Sequence, residues 1–134
     1  MDPKTPIENL MTLLPHTVGS EQPLAYAQAQ MKEHGIRHLP VLHGGALDGI
    51  LSERDLALAA SLDGIDPATT KVEEAMTAVP YAIGRKTPVA EVVREMADHK
   101  YGSALIVEGK TVVGIFTVSD AVAHFARVLE STEG

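Results

Sequence analysis

Two four-residue phrases carry the residue types that could hold a nucleotide, Ser52-Glu53-Arg54-Asp55 and Thr117-Val118-Ser119-Asp120. Each sets a hydroxyl three residues ahead of a carboxylate, just before an apolar helical pattern. At a helix start, unpartnered backbone N–H groups favour phosphate, and a carboxylate there accepts hydrogens from ribose hydroxyls. The same spacing is that of a capping box, in which each side chain satisfies an exposed backbone group. Spacing alone leaves both readings open.

Charge separates the two phrases. Arg37, His38 and Arg54 are the basic group that local sequence brings near the first, and an arginine can grip phosphate through two parallel hydrogen bonds. The second phrase has Gly102, Ser103 and Ser119 at the matching places, with Lys100 as the nearest cation. The Asp55 site is therefore expected to be the better polyphosphate holder. The Asp120 site should be weak, empty or suited to a less charged ligand.

Other chemistries have little to stand on. His34 and His38 have the spacing of two metal ligands on one helix face, but Gly35 between them ends the helix, so no metal site is expected. With no cysteine there is no disulfide, no thiolate nucleophile and no Cys-based zinc site. No nucleophile elbow, phosphate loop or HExxH motif raises one Ser/His/Asp trio above the rest, so no catalytic residue is assigned.

Bulk properties narrow the class further. A net charge of −7, with no basic stripe, argues against nucleic acid as a partner. No apolar run approaches the ~18 residues of a membrane span, and Met1 to Pro6 lack an apolar stretch after a basic start. A cytoplasmic, non-membrane protein is expected. At 134 residues, 45% hydrophobic but only 4% aromatic, the core must be built from Val, Leu, Ile, Ala and Met.

The elements that position the two phrases are themselves written twice. Met11-Thr12-x-x-Pro15 returns as Met76-Thr77-x-x-Pro80, 65 positions later, and the shift persists without a gap. Gly19 meets Gly84, Met31 meets Met96, His34 meets His99, Gly49-Ile50 meets Gly114-Ile115, and Asp55 meets Asp120. The repeats are placed at residues 1–62 and 71–134, joined by a linker at 63–70 rich in Asp, Gly, Pro and Thr.

Each copy has the order strand, helix, strand, strand, helix, which gives an α/β (α+β) fold. In the first copy, Leu24, Ala27, Gln28 and Met31 make a helix closed by Gly35. Arg37–Leu42 and Ala46–Leu51 read as a hairpin, and Glu53 to about Leu62 as a second helix. Pro40 should sit where no ladder donor is required. In the second copy, Thr87 is expected to cap a helix that begins at Pro88 and buries Val89, Val92, Val93 and Met96. Tyr101–Val107 and Val112–Phe116 follow as strands, then a helix with Ala121, Val122, Phe125, Val128 and Leu129 on its buried side. Met31 and Met96 read as core, and His34 and His99 as helix-ending residues.

This order, with the closing phrases Gly49-Ile50-Leu51-Ser52-Glu53-Arg54-Asp55 and Gly114-Ile115-Phe116-Thr117-Val118-Ser119-Asp120, resembles the cystathionine-β-synthase (CBS) domain family. The Met-Thr phrases and Gly35-Ile36-Arg37-His38-Leu39-Pro40-Val41 support it, and it covers about Ile7 to Leu129. The resemblance implies two β-α-β-β-α repeats packed about a pseudo-two-fold axis, with two clefts that take an adenine-containing nucleotide. One cleft would use Ser52, Arg54 and Asp55, with Arg37 or His38 nearby, facing Thr77, Tyr81 and Tyr101. The other would use Thr117, Ser119 and Asp120, facing Thr12, His16 and Ile36. AMP, ADP, ATP and S-adenosylmethionine are the implied effectors, with no covalent cofactor. The implied function is a non-catalytic regulatory homodimer read by a protein partner. The alternative is a dimerisation scaffold whose clefts are degenerate.

Overall fold

The computed structural model describes residues 2–131. Four helices and two small sheets divide into two compact units, and the division does not follow the two sequence repeats. Pro15–Pro80 form one unit, and residues 2–14 with 81–131 form the other.

The Pro15–Pro80 unit has a three-stranded sheet in the order β2-β3-β4, made of Val18–Gly19, His38–His43 and Ala46–Ser52. Helix α1 (Leu24–His34) ends where Gly35 takes a left-handed φ of 63°, as its place after the apolar pattern predicts. Helix α2 is Glu53–Ala60, two residues shorter than expected, because Ser61 already closes the last turn. Leu24, Ala27, Met31, Leu39, Val41, Leu51 and Val72 form its core.

Pro40 lies inside β3, opposite Ile50. The N–H and C=O of Ile50 both bond to Thr77, so they point away from Pro40 and that pair needs no donor from the proline. At the equivalent place in the other unit, Leu105 does donate, to the Tyr81 carbonyl at 2.8 Å.

The second unit has the sheet order β1-β7-β6-β5, made of Thr12–Leu13, Thr111–Thr117, Ser103–Glu108 and Ala82–Ile83. Helices α3 (Val89–His99) and α4 (Val118–Ser131) accompany it. Strand β6 starts at Ser103 and not Tyr101, since Lys100 takes a left-handed φ of 58° and turns the chain first. Thr87 is not the cap of α3. Pro88 holds the N-cap position in extended backbone, without a side-chain bond, and its N-terminal amides find backbone partners instead. Val89 donates to the Thr5 carbonyl and Ala90 to the Pro3 carbonyl.

The last helix also departs from expectation. Val122 and Phe125 are 61% and 62% exposed, Leu129 is half-exposed, and no residue of α4 is fully buried. The sequence pattern spans two adjacent faces. Ala121, His124 and Val128 are half-buried, whereas Val118, Val122 and Phe125 stand in solvent.

The N-terminal arm and the segment that leads into the second repeat do the same work. Ile7 donates to the Thr87 carbonyl and Glu8 to that of Arg85, as Val72 donates to Gln22 and Glu73 to Ser20. Ile7 and Val72 are wholly buried, one in each core. The approach to the second repeat thus completes the unit built from the first, and the N-terminal arm completes the unit built from the second.

Candidate functional site

In the Pro15–Pro80 unit, β4 runs directly into α2, and the junction is the Ser52–Asp55 phrase. Ser52 is extended, with φ −109° and ψ 162°, and forms the N-cap. Its N–H donates to Asp55 Oδ2 at 2.9 Å, while its Oγ accepts from the Asp55 N–H at 3.0 Å. The capping reading of this phrase is therefore realised. The Glu53 N–H donates to the Arg37 carbonyl at 2.8 Å, which ties the residue just before β3 to the start of α2. Of the first three helical amides, that of Arg54 is left open among the described residues, and Asp55 Oδ1 takes no part in the box.

Around this junction the unit gathers the predicted basic residues. His38 pairs across the hairpin with Ser52. Burial holds the imidazole below its ordinary pKa, with Arg37 adding to that effect, while the carboxylates of Asp55 and Glu53 oppose it. Arg37 and Arg54 are exposed and have no ion pair among the described residues. Thr77 joins the same unit through a two-bond bridge to Ile50, at 2.9 and 3.0 Å, two strand positions before the cap.

That bridge explains the glycine in the closing phrase. A Cβ on Gly49 would stand 2.6 Å from the Thr77 carbonyl oxygen and 2.7 Å from Met76 Sδ. Met76-Thr77 is thus a lid on the bare backbone of Gly49, and Met11 sits against Gly114 in the same way. The repeated Met-Thr and Gly-apolar phrases are two sides of one contact.

The second junction copies the first. The Thr117 N–H donates to Asp120 Oδ2 at 2.9 Å, the Asp120 N–H to Thr117 Oγ1 at 3.2 Å, and Val118 N–H to the Gly102 carbonyl at 3.1 Å. Thr12 pairs with Ile115 beside it. Two junctions of one construction, 65 residues apart, bear on family directly. The CBS domain model matches the chain at residues 6–61 and again at 72–127.

The chain belongs to the CBS domain family. It is 30% identical over 118 residues to the CBS domain-containing protein YhcV of Bacillus subtilis, covering 88% of this chain and 84% of YhcV. An uncharacterized conserved protein from Pyrococcus horikoshii is 31% identical with a TM-score of 0.83, over 92% of this chain and 94% of that one. The CBS domain pair of protein MJ0100, solved in complex with 5′-methylthioadenosine and S-adenosyl-L-methionine, is 27% identical with a TM-score of 0.80, over 90% and 99% of the two chains.

The other residues assigned to the CBS clefts fall as follows. Tyr81 and Tyr101 belong to the second unit, where their rings stack at 5.1 Å, and Tyr101 also stacks on His99 at 5.2 Å. Burial, then Glu95 and Glu91, raise the pKa of the Tyr81 phenol. Ser119 is exposed on α4. His16 and Ile36 lie in the Pro15–Pro80 unit, His16 stacked on His34 at 3.6 Å and Ile36 packed on the core. Among the described residues no group of three His, Asp or Glu side chains could hold a metal, and no helix is long and apolar enough to cross a membrane.

One repeated link was missed in the sequence. Ser20 Oγ lies 2.9 Å from His43 Nδ1, and at the matching positions Arg85 Nε is paired with Glu108 Oε1 at 2.5 Å. Ser20/Arg85 and His43/Glu108 differ together under the 65-residue shift, which is the signal that could have found them.

Proposed function

We propose that this CBS pair is a non-catalytic regulatory module that binds an adenine-containing nucleotide, with its stronger site at the Ser52–Asp55 junction, and that it works as a cytoplasmic homodimer. The observation that carries the reading is the charge difference between two otherwise matched junctions. One gathers Arg37, His38 and Arg54 about a capping carboxylate with a free oxygen. The other has Gly102, Ser103 and Ser119 there. Asp55 Oδ1 would accept from ribose hydroxyls, while the open Arg54 amide and the two guanidinium groups would take phosphate. Thr77, beside the cap, would contribute to the lining. The Asp120 junction, with Thr117 and Ser119, is proposed as the weaker site, lined by Thr12. The adenosine compounds in the MJ0100 complex support this ligand class.

A thermal-shift screen of AMP, ADP, ATP, S-adenosylmethionine and 5′-methylthioadenosine tests the class. A ligand at about 100 times its dissociation constant adds about 2.7 kcal/mol of stability. One observation favours the scaffold reading instead: both capping aspartates already serve their own helices. No shift with any of the five compounds would make the scaffold the correct account.

A further inference from the structure

Of the residues gathered at the Ser52–Asp55 junction, His38 is the one whose side chain titrates near neutral pH. It is the first residue of β3 and lies opposite Ser52, the N-cap of α2. The bond from the Glu53 N–H to the Arg37 carbonyl fastens the preceding residue to the same helix start. The imidazole is thus held half-buried at the foot of α2.

Its charged neighbours come from two elements. Burial and then Arg37, just before the strand, disfavour the protonated ring, against Asp55 and Glu53 at the start of the helix. Arg54, between the two acids, is the remaining charged side chain of that turn. Burial outweighs the acids, so the ring of the free protein gives up its proton more readily than an ordinary histidine. A phosphate seated on the Arg54 amide and the two guanidinium groups would add negative charge to this cluster and offset Arg37, the cation that opposes protonation. Both changes stabilise the imidazolium, so a proton that the free protein excludes is taken up with the ligand.

The duplication supplies a control. The shift of 65 puts Ser103 at the place of His38 and Ser119 at that of Arg54, so the Asp120 junction has no imidazole to answer a ligand.

We propose that the Ser52–Asp55 site is proton-coupled: ligand phosphate and a proton on His38 bind together, so AMP and ATP are held more tightly as pH falls. An uncharged adenosine such as 5′-methylthioadenosine is held independently of pH. The coupling rests on the nucleotide reading above, and makes His38 the residue that separates phosphorylated from unphosphorylated ligands. The gain is complete once pH falls below the pKa of the unliganded ring, which lies under 6.5.

Calorimetric titration of AMP, ATP and 5′-methylthioadenosine into the wild type and His38→Gln, at pH 7.5 and pH 6, tests the coupling. The phosphates of AMP and ATP titrate in the same range, but equally for both proteins, so the ratio of the two affinities isolates the imidazole. For AMP that ratio should move about three- to tenfold in favour of the wild type as pH falls, within the roughly tenfold per pH unit that one proton allows. For 5′-methylthioadenosine it should stay constant. Should His38→Gln fold poorly, the His38 ring proton followed by NMR in the wild type gives the same answer, titrating at higher pH in saturating AMP than without it. A constant ratio for AMP, an equal change for 5′-methylthioadenosine, or an unmoved His38 midpoint in AMP-saturated protein would overturn the coupling and leave nucleotide binding standing. Binding of neither AMP nor ATP at either pH would overturn the nucleotide reading and the coupling with it.

Discussion

The carbonyl oxygen of Thr77 occupies space 2.6 Å from where a Cβ on Gly49 would be. Thr77 is fixed there by two backbone bonds to Ile50, so it cannot retreat without breaking them. Gly49→Ala should therefore cost about 1–3 kcal/mol through forced backbone displacement. Gly84→Ala, with nothing within 4 Å of its new methyl group, should be near neutral. Urea denaturation of the two variants checks this, and equal stabilities would contradict the close approach.

The N-terminal arm belongs to the core of the unit it completes. Ile7 is wholly buried with Val92, Ile106 and Phe116. Ile7→Ala should cost about 2–5 kcal/mol, as expected for a core truncation. A frayed terminus would show almost no loss in the same denaturation experiment.

The repeat, the element order and both capping phrases were legible because duplication keeps registers visible without knowledge of contacts. The exchange of leading segments was not. Asp2-Pro3 before Ile7-Glu8 echoes Asp66-Pro67 before Val72-Glu73, but one extra residue in the second breaks the constant shift, and the segment read as a linker. The stripe on α4 misled for a different reason. Apolar periodicity marks a helix stripe without saying which of two adjacent faces packs on the fold, so Val122 and Phe125 read as core although both stand in solvent. The Ser20–His43 link carries no local pattern at all, since its partners lie 23 residues apart.

Ser52 should matter to stability without any ligand. Its Oγ accepts from the Asp55 N–H, so Ser52→Ala should cost about 1 kcal/mol and Ser52→Thr much less. Thermal unfolding of the nucleotide-free protein measures both. Matching midpoints for Ser52→Ala and the wild type would show that the box is not formed in solution.

His38 sets a pH dependence. Its folded pKa is lowered, so below the ordinary value of 6.5 the unfolded chain binds a proton that the folded chain does not. Its contribution is greatest above pH 6.5 and declines as pH falls below it, towards the folded pKa. His38→Gln should flatten that part of the stability profile. An unchanged slope between pH 6.5 and 5 would contradict the lowered pKa of the half-buried imidazole.

The most direct measurement is calorimetric titration of ATP and AMP into the wild type, Asp55→Ala and Asp120→Ala. If the Ser52–Asp55 junction is the principal site, Asp55→Ala loses charge-assisted hydrogen bonds worth about 1.5–3 kcal/mol, a roughly ten- to hundred-fold weaker Kd for ATP. Asp120→Ala should lose less, although both variants give up a comparable cap of about 1 kcal/mol in ligand-free stability. Equal losses of affinity, or a larger one for Asp120→Ala, would contradict the assignment.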